Sequence, residues 1–242
     1  NHAIKRMGQE RALRLEKKQD ALHRREGVCR RVKMDIRPLR EGAGIPLEVE
    51  GLWFHYPNQP YLYRDLNFHI NAKERFLVVG ENGVGKSTLL KLMMGIQTPD
   101  RGNIRFHPNT DVAYYAQELE QLDLQKTVLE NVSAQGCTMK QLRSVLSNFL
   151  FYEDDINKKA EVLSPGEKAR IALCRILLQK ANFLILDEPT NHLDPETQEV
   201  VGKNFRRFEG TIMVVSHNRR FVEQIGINRV LRLPSGRVED YH

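Results

Sequence analysis

The sequence predicts an α/β protein, with a mainly parallel core sheet, an antiparallel β subdomain and an inserted helical subdomain. Three observations carry that prediction. Phe76–Gly80 (FLVVG), Phe183–Asp187 (FLILD) and Thr211–Ser216 (TIMVVS) are almost continuously apolar, as strands covered on both faces must be. The first of these runs feeds a glycine-rich turn and then an apolar helix from about Lys86 to Met94. Ahead of it, Leu47–Tyr56 and Leu62–Ile70 alternate apolar and polar residues across a PNQP loop, the pattern of paired antiparallel strands.

The elements follow in chain order. Residues 1–26 are rich in Glu, Lys, Arg, Gln, Ala and Leu and contain no Pro, so they read as a helix. Its larger apolar residues, Ile4, Met7, Leu13, Leu15 and Leu22, are sparse, which suits a projecting helix better than a core element. Val28 to Arg37 reads as a strand or linker, and Arg40–Pro46 (REGAGIP) as a turn-rich boundary. The β subdomain and first buried strand come next. Residues 138–161 are helix-prone and polar, and Glu167–Lys180 is helical and apolar on most sides. Val230–Leu233 and Arg237–Tyr241, split by a PSG turn, read as a closing hairpin. The chain thus divides into a basic helix with its connector at 1–40 and a larger domain at 41–242, with a helical subdomain at about 125–180.

Composition narrows the classes. Of the 242 residues, 40% are apolar and 28% charged, which argues against bulk disorder. No apolar run approaches the roughly 18 residues of a membrane span, and the N-terminus has no signal-peptide core. Without an initiator Met, the chain reads as part of a longer one. Cys29, Cys137 and Cys174 lie far apart without CxxC spacing, which fits a reducing compartment, the cytoplasm, better than a disulfide or zinc framework. The net charge of +6 is uneven: residues 1–40 carry +8 and the other 202 carry −2. Charge gathered on one element points to a polyanion partner.

Gly80–Thr88 reads GENGVGKST. It matches G-x-x-x-x-G-K-[ST] between a buried strand and a helix, the context the motif requires. Gly80, Gly83 and Gly85 let the backbone turn so that the amides of Glu81, Asn82, Val84 and their neighbours point at phosphate oxygens. The helix N-terminus adds a favourable dipole. Lys86 can reach the β- and γ-phosphates, the Ser87 hydroxyl can ligate Mg²⁺, and Thr88 closes the motif. Asp187 and Glu188 end the second buried strand. Adjacent acids there are costly unless paired or bound to metal. In a phosphate-loop protein the first acid holds Mg²⁺ and the second can polarise an attacking water.

With both elements in place, the sequence resembles an ABC-type ATPase domain over roughly residues 47–242. The decisive string is Leu163–Glu167 (LSPGE), 20 residues before Phe183, which is similar to that family's LSGGE/Q signature. Leu163, Ser164, Pro165, Gly166 and Glu167 would form the contact to ATP held by an opposing domain, with Ser164 and Gly166 meeting its γ-phosphate. Pro165 departs from the usual Gly and lacks an N–H. The resemblance also implies that Gln117 is the Q-loop residue sensing Mg²⁺ and the nucleophilic water. It makes Tyr56 the adenine-stacking aromatic, with Phe54 as the alternative. Asn191, His192, Leu193 and Asp194 match the D-loop, and His217, 29 residues after Glu188, matches the switch histidine.

The EPTNHLD string looks like the ABC-F group rather than the SALD-like loops common in transport subunits. That group consists of soluble proteins with two ATPase domains in one chain, joined by a charged helical linker and lacking a membrane domain. They act on ribosomes as translation factors or as antibiotic-resistance ribosome-protection factors. The resemblance implies ATP and Mg²⁺ as cofactors. The implied partners are a second ABC ATPase domain, in the same chain or a homodimer mate, and the ribosome, with residues 1–26 contacting rRNA phosphates. Asn218 replaces the Asp of the group's SHDRxF string, a change expected to matter little for chemistry. The alternative is a transporter's nucleotide-binding subunit. A chromosome or repair ATPase fits poorly, because Lys86 and Asp187 are only about a hundred residues apart.

Overall fold

The computed structural model describes residues 38, 40–42, 44–116, 122–133 and 136–241. Of the expected basic helix and connector at 1–40, residues 1–37 and 39 lie outside the described residues, as does Gln117. The chain builds two sheets. Strands β1 (Leu47–Phe54), β2 (Tyr63–Ile70) and β4 (Arg101–Phe106) form an antiparallel sheet in the order β2-β1-β4. Strands β3 (Arg75–Val79), β5 (Val112–Tyr115), β6 (Phe183–Asp187), β7 (Thr211–Val215), β8 (Arg229–Arg232) and β9 (Arg237–Asp240) form the other, ordered β5-β6-β7-β3-β8-β9. All its pairings are parallel except β8–β9, the closing hairpin.

The alternation of the strands sorts the core into two layers. Leu77, Leu184, Leu186, Ile212 and Val214 face one side. There they meet helices α5 (Pro165–Leu178), α6 (Pro195–Arg206) and α7 (Arg219–Ile225) through Ile171, Phe205 and Phe221. Phe76, Val78, Phe183, Ile185, Met213 and Val215 face the other side, against helix α1 (Lys86–Met93) and the antiparallel sheet. Each such fully covered side chain contributes about 1.5–3 kcal/mol relative to exposure.

The helical insertion comprises α2 (Val128–Val132), α3 (Met139–Asn148), α4 (Glu153–Ile156) and α5. Thr127 and Thr138 cap α2 and α3 through reciprocal hydrogen bonds with Glu130 and Gln141. Residues 138–161 are less polar in packing than in composition, since Leu142, Val145, Leu146, Phe149 and Phe151 are buried in the larger core cluster. Because the core strands run parallel, the ends of β3, β6 and β7 open onto one edge, where α/β sheets hold their ligands.

Candidate nucleotide site

A cavity of about 530 Å³ lies at that edge, lined in part by Tyr56, Asn82, Gly83, Gly85, Lys86, Ser87, Thr88, Asp187, Glu188, Asn191 and His217. The loop after β3 forms its floor. Gly85 is the N-cap of α1 and holds a left-handed backbone with φ 102°, with no side chain capping the helix. Among the described residues the first amides of α1 therefore have no side-chain cap and can meet an anion. A Cβ on Gly85 would lie 2.7 Å from the Tyr63 hydroxyl, which donates to the Gly85 carbonyl. Nothing in the sequence marks Tyr63, because a buried strand tyrosine carries no motif. The Lys86 ammonium is buried and donates to the carbonyls of Gly80 and Glu81, both at 2.8 Å. Tyr56 lines the cavity and its hydroxyl lies 3.2 Å from Thr88 Oγ1. Phe54 is buried and packs edge-on against Tyr56, so of the two aromatics only Tyr56 faces the cavity.

The two acids line the same cavity. Asp187 is buried at the end of β6, and among the described residues its Oδ1 has no hydrogen-bond partner. Burial pushes its carboxyl above the usual carboxylate range, while the Ser87 hydroxyl, Lys91 and Lys86 pull it down. An orphaned carboxylate oxygen beside a hydroxyl, facing a phosphate loop, fits a hard divalent cation such as Mg²⁺. Glu188 adopts φ 47°, uncommon for a residue with a side chain, and its amide donates to the Val215 carbonyl at 2.9 Å. Its two carboxylate oxygens meet the His217 amide at 3.3 Å and His217 Nε2 at 3.4 Å. Burial raises the Glu188 pKa, the His217 contacts oppose that, and the neighbouring Asp187 adds to the rise.

The remaining motif residues divide. Asn191 lines the cavity. Asp194 caps α6 by accepting from the Thr197 amide at 2.9 Å. Leu163 is buried in the core. Ser164 caps α5 in a reciprocal box with Glu167, and Pro165 takes the first helical position, where its missing N–H is no loss to the helix. Ser164 and Pro165 are exposed, and none of Leu163–Glu167 lines the cavity. Gly166 instead sits against the His192 carbonyl, 2.8 Å from where a Cβ would stand.

The model of the family described as "ABC transporter" matches residues 63–191, just over half of the chain. The chain belongs to this family. YdiF of Bacillus subtilis (strain 168) is 44% identical to this ABC ATPase domain over 204 residues, covering 84% of this chain and 32% of its own length. ABC transporter F family member 5 of Arabidopsis thaliana is 36% identical over 240 residues, covering 96% of this chain and 34% of its own. These relatives put the ABC domain in the ABC-F group. The chain spans about a third of the length of the curated relatives it matches. The solved dimer of an ATP-binding cassette in a post-hydrolysis state with ADP and Pi superposes with a TM-score of 0.68. That match covers 81% of this chain and 99% of the other at 21% identity, a likeness of fold. Among the described residues, no helix of the ABC domain is long and apolar enough to cross a membrane.

Proposed function

We propose that this ABC-F domain hydrolyses ATP in a site completed by a second ATPase domain, and that the whole protein works on the ribosome. That work is in translation or in protection against ribosome-targeting drugs. The observation that carries the catalytic half is that Asp187 and Glu188 line one cavity with the phosphate loop. In this reading Tyr56 stacks on adenine, and the amides of Gly80–Thr88 grip the phosphates. Lys86 moves from the Gly80 and Glu81 carbonyls to a phosphate oxygen. Ser87 and Asp187 would hold Mg²⁺, with Gln117 assigned to the same ion by resemblance. Bound there, the cation would neutralise charge on the phosphate oxygens. Glu188 polarises the attacking water, and its raised pKa gives it a stronger pull on that water's proton than an ordinary carboxylate has. His217 orients Glu188 through its ring and its amide.

The exposure of Ser164 and Pro165 outside the cavity supports a second domain. A signature that serves an opposing nucleotide has to face outward, and Asn191–Asp194 lies beside it. The ribosome is supported by the +8 charge of residues 1–40, whose Lys and Arg side chains suit rRNA phosphates. The test is a pull-down of the full-length Glu188→Gln protein with ATP. Ribosomes should co-purify, fewer of them without ATP and fewer at raised salt. Recovery with membranes instead would favour a transporter subunit and overturn the ribosome reading.

A further inference from the structure

The loop Thr190–Asp194 and the His217 corner are tied together by two side-chain amides that the sequence motifs leave unexplained. Asn218 Oδ1 accepts from the Phe221 amide at 3.1 Å, capping α7. Asn218 Nδ2 donates to Gln198 Oε1 at 2.6 Å. Gln198 Nε2 in turn donates to the Leu193 carbonyl at 2.8 Å and lies 3.5 Å from the Thr190 carbonyl. Both ends of this chain are backbone groups of fixed polarity. A backbone N–H must meet an oxygen, and a backbone carbonyl must meet a donor. Each amide is thereby locked in one orientation, and while its partner is unchanged each position calls for one donor and one acceptor end.

An aspartate in place of Asn218 breaks that polarity. It would still cap α7, but its second oxygen would face Gln198 Oε1, acceptor against acceptor. Flipping Gln198 relieves that clash and turns Oε1 onto the Leu193 carbonyl. Asn218 is thus not a neutral stand-in for Asp here.

The segment it holds is strained and central. Glu188 and His192 both sit in the left-handed region, at φ 47° and 68°. Such backbone persists only where its surroundings over-determine it. The His192 carbonyl abuts Gly166, and the Asn191 amide donates to the Glu188 carbonyl at 3.1 Å. We infer that Asn218 and Gln198 are a positioning pair for hydrolysis, locking the 190–194 loop to the His217 corner so that Glu188, His217 and the signature keep one register. This rests on the reading of Glu188 and His217 as hydrolytic groups.

The experiment compares Asn218→Asp, the double variant Asn218→Asp/Gln198→Lys, and Glu188→Gln in the full-length protein. In the double variant the lysine ammonium offers donors both to the introduced carboxylate and to the Leu193 carbonyl, which restores the polarity. Asn218→Asp should lower kcat about tenfold, the loss expected when a polar pair is set against itself, with ATP affinity within about twofold of wild type. The double variant should recover most of kcat. Hydrogen exchange at the Asn191 and Leu193 amides should speed up in the single variant and slow again in the double. Wild-type kcat or unchanged exchange in Asn218→Asp would overturn the inference, as would a loss that the double variant does not restore. Glu188→Gln separates the failures: wild-type turnover there sinks the hydrolytic reading, while the exchange data still report on the amide pair.

Discussion

Glu188→Gln will slow ATP hydrolysis by about 10²–10⁴-fold, the usual span for removing a general base, and leave ATP affinity within a few-fold of wild type. Glu188 reaches the cavity from a strand end and holds His217 by two contacts. Its loss therefore removes proton acceptance without removing a phosphate contact. A second signature accompanies the first. Burial raises the folded-state pKa of Glu188, so its protonated form favours the fold, fully below the unfolded pKa. That stability is lost as pH rises through the raised folded value. Above that raised value the ionised group strains the fold, and the neutral amide does not. The variant should melt higher at pH 7, each 1 kcal/mol counting for roughly 2–4 °C in a chain this long. The advantage should shrink on acidification. Single-turnover rates, calorimetric ATP titration and melting between pH 4 and 8 check the three parts. Turnover at the wild-type rate would remove Glu188 from the chemistry.

Lys86→Ala will weaken ATP binding about 10- to 100-fold, measured by isothermal titration. The ammonium is buried over the loop and bonded to the carbonyls of Gly80 and Glu81 at 2.8 Å. Charge-assisted hydrogen bonds contribute about 1.5–3 kcal/mol each, which corresponds to that range of affinity. Lys86→Arg should rescue little, because a planar fork cannot stand in for a compact point charge in so tight a turn. An unchanged dissociation constant in Lys86→Ala would show that the loop holds nucleotide by its amides alone.

Much of this architecture is written locally in the sequence. FLVVG, FLILD and TIMVVS are legible because a parallel strand covered on both faces can admit almost no polar residue. Strand β4 escapes the same reading: its RGNIRF pattern is exposed along most of its length. Strand β5 is only four residues long. Helices α6 and α7 go unread in the sequence: their caps, Asp194 before Pro195 and Asn218 before Arg219, are single residues seen as caps only in the structure.

The site divides along a similar line. The phosphate loop and Asp187–Glu188 are contiguous strings whose chemistry follows from spacing. His217 beside Glu188 is a contact across parallel strands, and it is reached in the sequence only through family resemblance. Tyr63 under Gly85 and Gln198 beside Asn218 have no signal of their own, since each acts by touching a residue 20 or more positions away. Weighed alone, Asn218 looks like a quiet exchange for Asp; with Gln198 in place its polarity becomes decisive.

The dependence of hydrolysis on domain concentration tests the central claim most directly. With saturating ATP and Mg²⁺, the rate per mole of isolated domain should climb with domain concentration if, as proposed, each catalytic cavity is completed by a signature from another copy. A specific activity that stays constant and substantial on dilution to nanomolar domain would mean that one copy carries a whole site, contrary to the account given for Ser164 and Pro165.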